Sequence, residues 1–351
     1  DLEMFDLNIN EGKDVSIKPK KLDMNSKRLW GMNRSLLNNA IVGASSGYQK
    51  ILELTGVGFK PDWVWFAQRN NTSAKVMYDS SRGVNKMLQS QSTAAEDDSS
   101  QYGYLSVFGD DGFTAQAGST NNNYINENNI NIVAWNWKIN GGTTSTNSDG
   151  SANSTVQVNT AVGMSQVLYT GNATGAGAEQ TIGHGLGVKP DWIIFKSRDY
   201  DGQNWYNTHV GLDGGTETHI ELDTNASEHA DGDYMNRVAP TNSVFSLGYN
   251  FTTNKNGTNY IAYCFNSVEG FSKFGHFTGN SSADGTFVFL GFKPAWVLIK
   301  NTDRAADWRL HDIARQPIND AGGHIILVNG TSSEPKIFGR SQNDSCVRVL
   351  K

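Results

Sequence analysis

One short segment occurs three times, and this constrains the chain more than any single residue does. Gly58-Phe59-Lys60-Pro61-Asp62-Trp63-Val64-Trp65-Phe66 returns as Gly187-Val188-Lys189-Pro190-Asp191-Trp192-Ile193-Ile194-Phe195. It returns again as Gly291-Phe292-Lys293-Pro294-Ala295-Trp296-Val297-Leu298-Ile299. Internal self-similarity of this kind fixes the architecture before secondary structure does. It also weighs against a single catalytic centre, because chemistry rarely needs one constellation three times in a row.

The surroundings of this anchor keep their spacing too. Tyr78, followed by Asp79, lies seventeen residues past Pro61; the same step reaches Asn207 from Pro190, and His311, followed by Asp312, from Pro294. Ile132-Val133-Ala134-Trp135 begins 71 residues past Pro61, and Ile261-Ala262-Tyr263-Cys264 begins 71 past Pro190. From Pro294 that step runs beyond Lys351. The third copy is therefore expected to be incomplete: either the sequence is truncated, or another chain or the N-terminal segment supplies the closing strand, and completion in trans within an oligomer is the expectation, since an open sheet edge is a pairing hazard.

Within copy one the pattern predicts short strands over 49–54, 63–67, 75–78, 104–108 and 131–138, separated by turn signals such as Gly109-Asp110-Asp111-Gly112. Trp63-Val64-Trp65-Phe66 is almost continuously apolar and should be a central strand covered on both faces. The preceding Lys-Pro suits a strand start, where the missing N–H does no harm. Residues 1–47 stand apart, with Lys13, Lys18, Lys20, Lys21, Lys27, Arg28 and Arg34 making them basic. Leu22, Leu29, Leu36 and Leu37 predict an amphipathic helix from about 22 to 40, for packing or for attachment. The expected divisions are 1–47 as an N-terminal attachment or assembly segment, 48–140 as repeat one and 141–163 as a polar linker. Residues 164–270 form repeat two and 271–351 an incomplete repeat three. Only Glu269-Gly270 joins the last two, which suggests a stiff tandem. The fold class is all-β: tandem antiparallel sandwiches of jelly-roll type, preceded by a short helical or extended segment.

Composition narrows the function. Charged residues are 18% and aromatic residues 11%, so Asn, Ser, Thr and Gly form the polar surface, as in extended, externally displayed β proteins. A formal net charge of −6 disfavours nucleic acid as a partner, which needs clustered Lys and Arg. No apolar run approaches the ~18 residues of a membrane span. Asp1-Leu2-Glu3-Met4 lacks the basic start and apolar run of a signal peptide. The two cysteines form no disulfide framework; Cys264 is expected to be a small buried hydrophobe at the repeat position of Trp135, and Cys346 has no counterpart.

Each candidate for chemistry has a plainer reading. Glu221-Leu222-Asp223 resembles the alternating acids of β-sandwich glucanases, which lie on one strand face. Its third position is Asn225, and Gln89-Ser90-Gln91-Ser92, the matching stretch of copy one, carries no acid. Gly183-His184-Gly185-Leu186-Gly187 precedes a strand, whereas a phosphate-cradling loop follows one and opens a helix, so a turn is expected. His209, His219 and His229 are evenly spaced without a zinc-ligand motif. Asp199-Tyr200-Asp201-Gly202 is an acidic turn lacking the Glu of a calcium loop. The sequons at Asn225 and Asn256 are what chance gives in an Asn-, Ser- and Thr-rich chain. Trp63, Trp192 and Trp296, at one repeat position, are assigned to the core ahead of sugar stacking, as are Trp205 and Trp308. No catalytic, cofactor or metal residue is expected.

Lys-Pro-Asp-Trp-Val-Trp, Tyr-Asp-Ser-Ser-Arg-Gly (78–83), Ser-Thr-Ala-Ala-Glu (92–96), Asp-Gly-Phe (111–113) and Val-Ala-Trp-Asn-Trp-Lys (133–138) together resemble a repeat domain of tailed-phage structural proteins, many from marine phages. The connectors at 148–156 and 268–280 are similar to those of that family. The resemblance covers about 48–351 and leaves out residues 1–47. Copy two departs from it, with Asn207-Thr208-His209-Val210-Gly211 in place of the Asp-Ser-x-Arg-Gly element, and copy three departs as well. It implies concanavalin-like, laminin-G-like sandwiches on a virion, and no catalytic residues. The expectation is a non-enzymatic virion protein, a tail fibre or other external fibre contacting host-surface polysaccharide. It would bind other virion proteins and form a homotrimer or other homo-oligomer, with contacts in end loops such as 118–129. A capsid decoration protein, a glycan-cleaving enzyme and a secreted lectin or filament subunit are the alternatives.

Overall fold

The computed structural model describes residues 5–10, 14–20, 58–120, 122–213, 216–282, 284–315, 324–334 and 346–350. The expected helix at 22–40 and strand at 49–54 lie outside these. At the N-terminus Phe5–Asn10 and Asp14–Pro19 form an antiparallel hairpin.

Each anchor is a strand, Trp63–Gln68, Trp192–Ser197 and Trp296–Asn301. Each is flanked by a return strand (Val76–Asp79, Tyr206–His209, Arg309–Asp312) and a closing strand (Ile132–Trp137, Asn259–Phe265, Cys346–Leu350), all antiparallel. Trp63 sits opposite Asp79 and Trp137, and Trp192 opposite His209 and Phe265. Copy three therefore has a strand in the closing place, against the expectation of an incomplete repeat. The 71-residue step fails there because the connection into Cys346 is shorter.

The continuous apolar character of the anchor has a simple cause in the two-residue period of a strand. Trp63, Trp65 and Ala67 point one way, into a core shared with Trp192, Ile194, Trp296 and Leu298. Val64 and Phe66 point the other way, onto Leu105, Phe113, Ala115 and Ile125 of copy one's outer layer. Ile193 and Phe195 likewise meet Tyr234, Phe245 and Leu247 in copy two. Copies one and two are thus antiparallel sandwiches, each with one face on its own second layer and one on the common core. In copy three Val297 and Ile299 are only half-buried, and Thr286–Leu290 pairs with no strand among the described residues. Phe287 and Phe289 are 86% and 77% exposed there.

The repeats are tandem in sequence but closed into a ring in space. Glu96 N donates to Arg198 O (2.7 Å), Glu228 N to Thr302 O (2.8 Å) and Glu334 N to Arg69 O (2.8 Å). These are one contact made three times, from copy one to two, two to three and three to one. The short joint at Glu269-Gly270 therefore does not hold two beads apart; the shared core folds all three copies around one approximate threefold axis.

Residues expected to form a linker instead extend copy two. Ser154–Asn159 pairs with Met164–Thr170, and Ser145–Asn147 adds the edge of an eight-stranded sheet. The strand was hidden because only Val156 and Val158 are apolar among Ser, Thr and Asn. Among the described residues no helix is long and apolar enough to cross a membrane.

Candidate functional site

The three anchor tryptophans begin their strands at the same end of the ring, and there they bound a cavity of about 250 Å³. Trp63, Trp137, Trp192, Phe265, Phe274 and Trp296 form its walls, so all three repeats contribute. Trp63 stacks on Trp137 (4.3 Å between ring centroids), which meets Trp296 edge-on at 5.6 Å; Trp192 stacks on Phe265 at 5.0 Å. Such offset and edge contacts are the favoured aromatic geometries. Asn136, Lys138 and Ser272 supply the polar lining. A neighbouring cleft of about 350 Å³ between copies one and three shares Phe59, Asn136, Trp137 and Trp296 with it. The indole N–H groups of Trp63, Trp192 and Trp296 and the Asn136 Oδ1 are buried and have no hydrogen-bond partner. Buried polar atoms without partners are uncommon in folded proteins. The tryptophans are core, as expected, and also the walls of a site; nothing in their spacing shows that the core is hollow there.

The other polar clusters brace the ring. At the interface of copies one and two, Arg82 Nε donates to Asp79 (2.5 Å), Arg82 Nη1 and Arg198 Nε donate to Glu96 (2.9 and 3.0 Å), and Tyr263 Oη donates to Asp79 (2.7 Å). Copies three and one repeat this with Arg315, Asp312, Glu334, Arg69 and Trp135. Burial pushes the Glu96 carboxyl up, but the Arg198 hydrogen bond and the two arginine charges outweigh it and hold the group below its ordinary value. At the remaining interface the corresponding positions are His209 and Leu212, so the Asp–Arg pair is not repeated there. Copy three thus keeps the Asp-x-x-Arg element, although the intervening Ser-Ser of copy one has become Ile313-Ala314, which concealed it in the sequence.

Lys196 and Lys300 cross from one repeat to the previous one, donating to the carbonyls of Thr93 (2.9 Å) and Asn225 (3.2 Å). Trp205 and Trp308 do the same from their indoles, to Gln89 O (2.9 Å) and Glu221 O (2.7 Å). In copy one the anchor lysine is Ala67, and Lys75 stands at the Trp205 position. Its ammonium, lowered by burial to about 8, donates to Ser332 O (2.9 Å) and closes the ring.

Asp223 does not pair with Glu221 as a catalytic acid would. Its carboxylate accepts from Trp205 N (2.8 Å), where Gln91 accepts from Lys75 N (2.8 Å) and Asn329 from Trp308 N (2.9 Å). Three residue types do one structural task. Burial pushes the Asp223 carboxyl up to about 6. A raised acid favours the folded state below its unfolded pKa near 4, and that contribution is lost as pH rises through about 6. Asp223→Asn keeps the acceptor and removes the charge. It is expected to stabilise the protein by about 2–3 kcal/mol at pH 7 and to change nothing at pH 3.5, as measured by urea unfolding at both values.

The remaining candidates are placed as follows. His219 and His229 face each other across paired strands (ring centroids 5.6 Å), while His209 pairs with Trp192 elsewhere. Burial lowers the His219 imidazole to about 4. Among the described residues no three metal-ligating side chains come together. Asp199 accepts from Asn259 N and Nδ2, and Asp201 from Ala95 N. The Gly183–Gly187 segment is a turn: His184 Nδ1 accepts from Leu186 N (3.2 Å), and Gly185 takes φ +74° with a Cβ position 2.8 Å from Val158. The 118–129 loop is pinned by Asn123, which accepts from Gly118 N and donates to Thr120 O. Cys264 is fully buried, which pushes its thiol up, but it lies opposite Ile193, where copy one has Asn136 opposite Val64. The Trp135 position is Tyr263. Copy two is one residue shorter before its closing strand, and a one-residue slip in a strand changes the face.

The geometry defines an all-β antiparallel sandwich protein in which three repeats share one aromatic core. The chain belongs to the family described as a domain of unknown function, DUF7483, which it matches over residues 38–345. Short stretches are similar to large ribosomal subunit protein uL6. They are 42% identical over 50 residues to that of Beijerinckia indica subsp. indica (14% of this chain, 28% of the relative) and 46% over 50 residues to that of Magnetococcus marinus (14% and 28%). The likeness to the Paracoccus denitrificans protein is 37% over 79 residues (22% and 41%). The chain thus spans less than half the length of these relatives. No solved structure matches it.

Proposed function

We propose that this chain is a bacteriophage virion structural protein, part of a tail fibre or other external fibre, which attaches to host-surface glycan without cutting it. The observation that carries the reading is the aromatic cavity on the ring axis, with Lys138 as its one ionisable lining side chain. Such a site can hold a ligand but has no acid–base pair with which to transform it. The acids that a sandwich glucanase would use, Glu221 and Asp223, serve here as part of the frame. The phage-repeat resemblance gives the setting, with concanavalin-like sandwiches displayed on a particle. Assembly into a homotrimer or other homo-oligomer would turn weak single-site binding into useful avidity. The likeness to the Paracoccus denitrificans uL6 covers about a fifth of the chain, and a net charge of −6 suits an RNA partner poorly.

Cryo-electron microscopy of purified particles tests the reading. Density for this ring in fibres at the tail is the expected result. Density on the capsid lattice would make it a decoration protein, and its absence from every particle would overturn the virion assignment.

A further inference from the structure

We propose that the N-terminal hairpin, Phe5–Asn10 with Asp14–Pro19, docks on the outer face of copy three of its own chain and serves as that repeat's second layer. This holds whether or not the chain attaches to glycan. The described residues contain three repeats and three two-stranded sheets. Tyr104–Gly109 with Gly112–Gln116 covers the outer face of copy one, and Gln180–Gly183 with Val244–Leu247 covers that of copy two. The remaining two-stranded sheet is the hairpin, which among the described residues joins no other sheet, and the remaining face is that of copy three. On that face Val297, Ile299 and Leu327 are half-buried, whereas Val64, Phe66, Ile193 and Phe195 are fully buried in the other copies. Residues 286–290 stand just before the anchor, where copy two has Gln180–Gly183, and their Phe287 and Phe289 are the most exposed large apolar side chains described.

Sequence pattern, charge and tether all favour the hairpin over a foreign strand. Phe5, Leu7 and Ile9 alternate with Asp6, Asn8 and Asn10, and the register sets Leu7 opposite Ile17 and Ile9 opposite Val15. The two-residue strand period puts these apolar positions on one face. A lone two-stranded hairpin is marginal in water until such a face is covered. Residues 1–12 carry Asp1, Glu3, Asp6 and Glu11 and no lysine or arginine. The outer face of copy three carries Arg309 and His311 at the register positions of Val76 and Tyr78 in copy one and of Tyr206 and Thr208 in copy two. An acidic apolar hairpin thus suits this face better than it suits the other two. The chain enters copy one at Gly58, and Phe59 lines a cleft with Ala295, Trp296 and Ile313 of copy three. The hairpin is therefore tethered at the border of the repeat that lacks a layer. The 38 residues between Pro19 and Gly58 extend over at most roughly 125 Å, ample to cross one repeat. Loop closure grows only slowly more costly with length, and a tether holds the hairpin at ~mM effective concentration, which favours its own chain over a second copy.

The test is lysine cross-linking of the full chain, read by mass spectrometry on an equal mixture of unlabelled and nitrogen-15-labelled protein. Links from Lys13 or Lys18 to Lys293, both ends carrying the same label, are the expected result. Absence of a link to Lys293 would overturn the proposal, wherever else Lys13 and Lys18 react. Links to Lys293 that join the two labels would overturn it too, since the occupant would then be a second copy. Hydrogen exchange gives the reciprocal reading. Leu7→Asp/Ile17→Asp charges the apolar side of the hairpin and should speed exchange over residues 286–290 by about tenfold or more, while leaving Trp192–Ser197 in copy two unchanged. Ile299→Lys alters the receiving face at a half-buried position and should speed exchange over residues 5–19 by about as much. Equal exchange over residues 5–19 in wild type and Ile299→Lys would mean that the hairpin is covered elsewhere, and the assignment would fall.

Discussion

Arg82→Ala is expected to cost about 3–5 kcal/mol of unfolding free energy, because it strands the Asp79 carboxylate in a dry interface. Arg82 is buried at the joint of copies one and two, bound to Asp79 at 2.5 Å and to Glu96 at 2.9 Å. Removing the cation leaves Asp79 with only the Tyr263 hydroxyl and its own turn, while Glu96 keeps Arg198. The molecule contains its own control. At the joint of copies two and three the same positions are His209 and Leu212, and that interface closes without the arginine. The double variant Asp79→His/Arg82→Leu should therefore recover more than half of the single variant's loss, since a buried ion pair exchanged for packed neutral groups is often near neutral. Urea unfolding of the two variants checks this. A loss under 1 kcal/mol for Arg82→Ala would mean that the network contributes nothing net.

Trp205→Ala is the second large effect, again expected at about 3–5 kcal/mol. Trp205 is fully buried, carries Lys196 over its ring at 5.7 Å, and reaches into copy one with its indole N–H. Its loss opens a cavity and breaks a cross-repeat bond together. Copy one shows a second solution to the same packing problem, with lysine at the tryptophan position and alanine at the anchor lysine. Trp205→Lys/Lys196→Ala should thus be less damaging than the sum of its two single changes, a coupling that a double-mutant cycle measures directly. Strict additivity would mean that the two positions do not share one space.

The anchor strands were legible because an apolar run after Lys-Pro has few alternatives, and the shared repeat position of Trp63, Trp192 and Trp296 made them core positions. The return strands and the closing strands of copies one and two followed from the same repeat; the closing strand of copy three did not. What escaped depends on contacts that one sequence does not encode locally. Lys196 to Thr93 and Arg69 to Glu334 join distant segments, so a closed ring reads in the sequence as a tandem. Ser154–Asn159 is a strand whose apolar signal is two valines, and its order comes from pairing with Met164–Thr170. Cys264 was placed one residue out because a fixed step does not register the residue lost before it. The axial site was the least legible of all, since a tryptophan that lines a hollow and one that fills a core leave the same mark.

Ring closure also changes how the molecule can come apart. A linear array of repeats has terminal units with one neighbour each, and these fray first. Here copy one meets copy three through residues as far apart as Arg69 and Glu334, so each unit is held on two sides. The joint between the first and last copies can form only after most of the chain is in place, when the longest loop has been closed. None of the three repeats has a free side, so unravelling has no natural starting point among them.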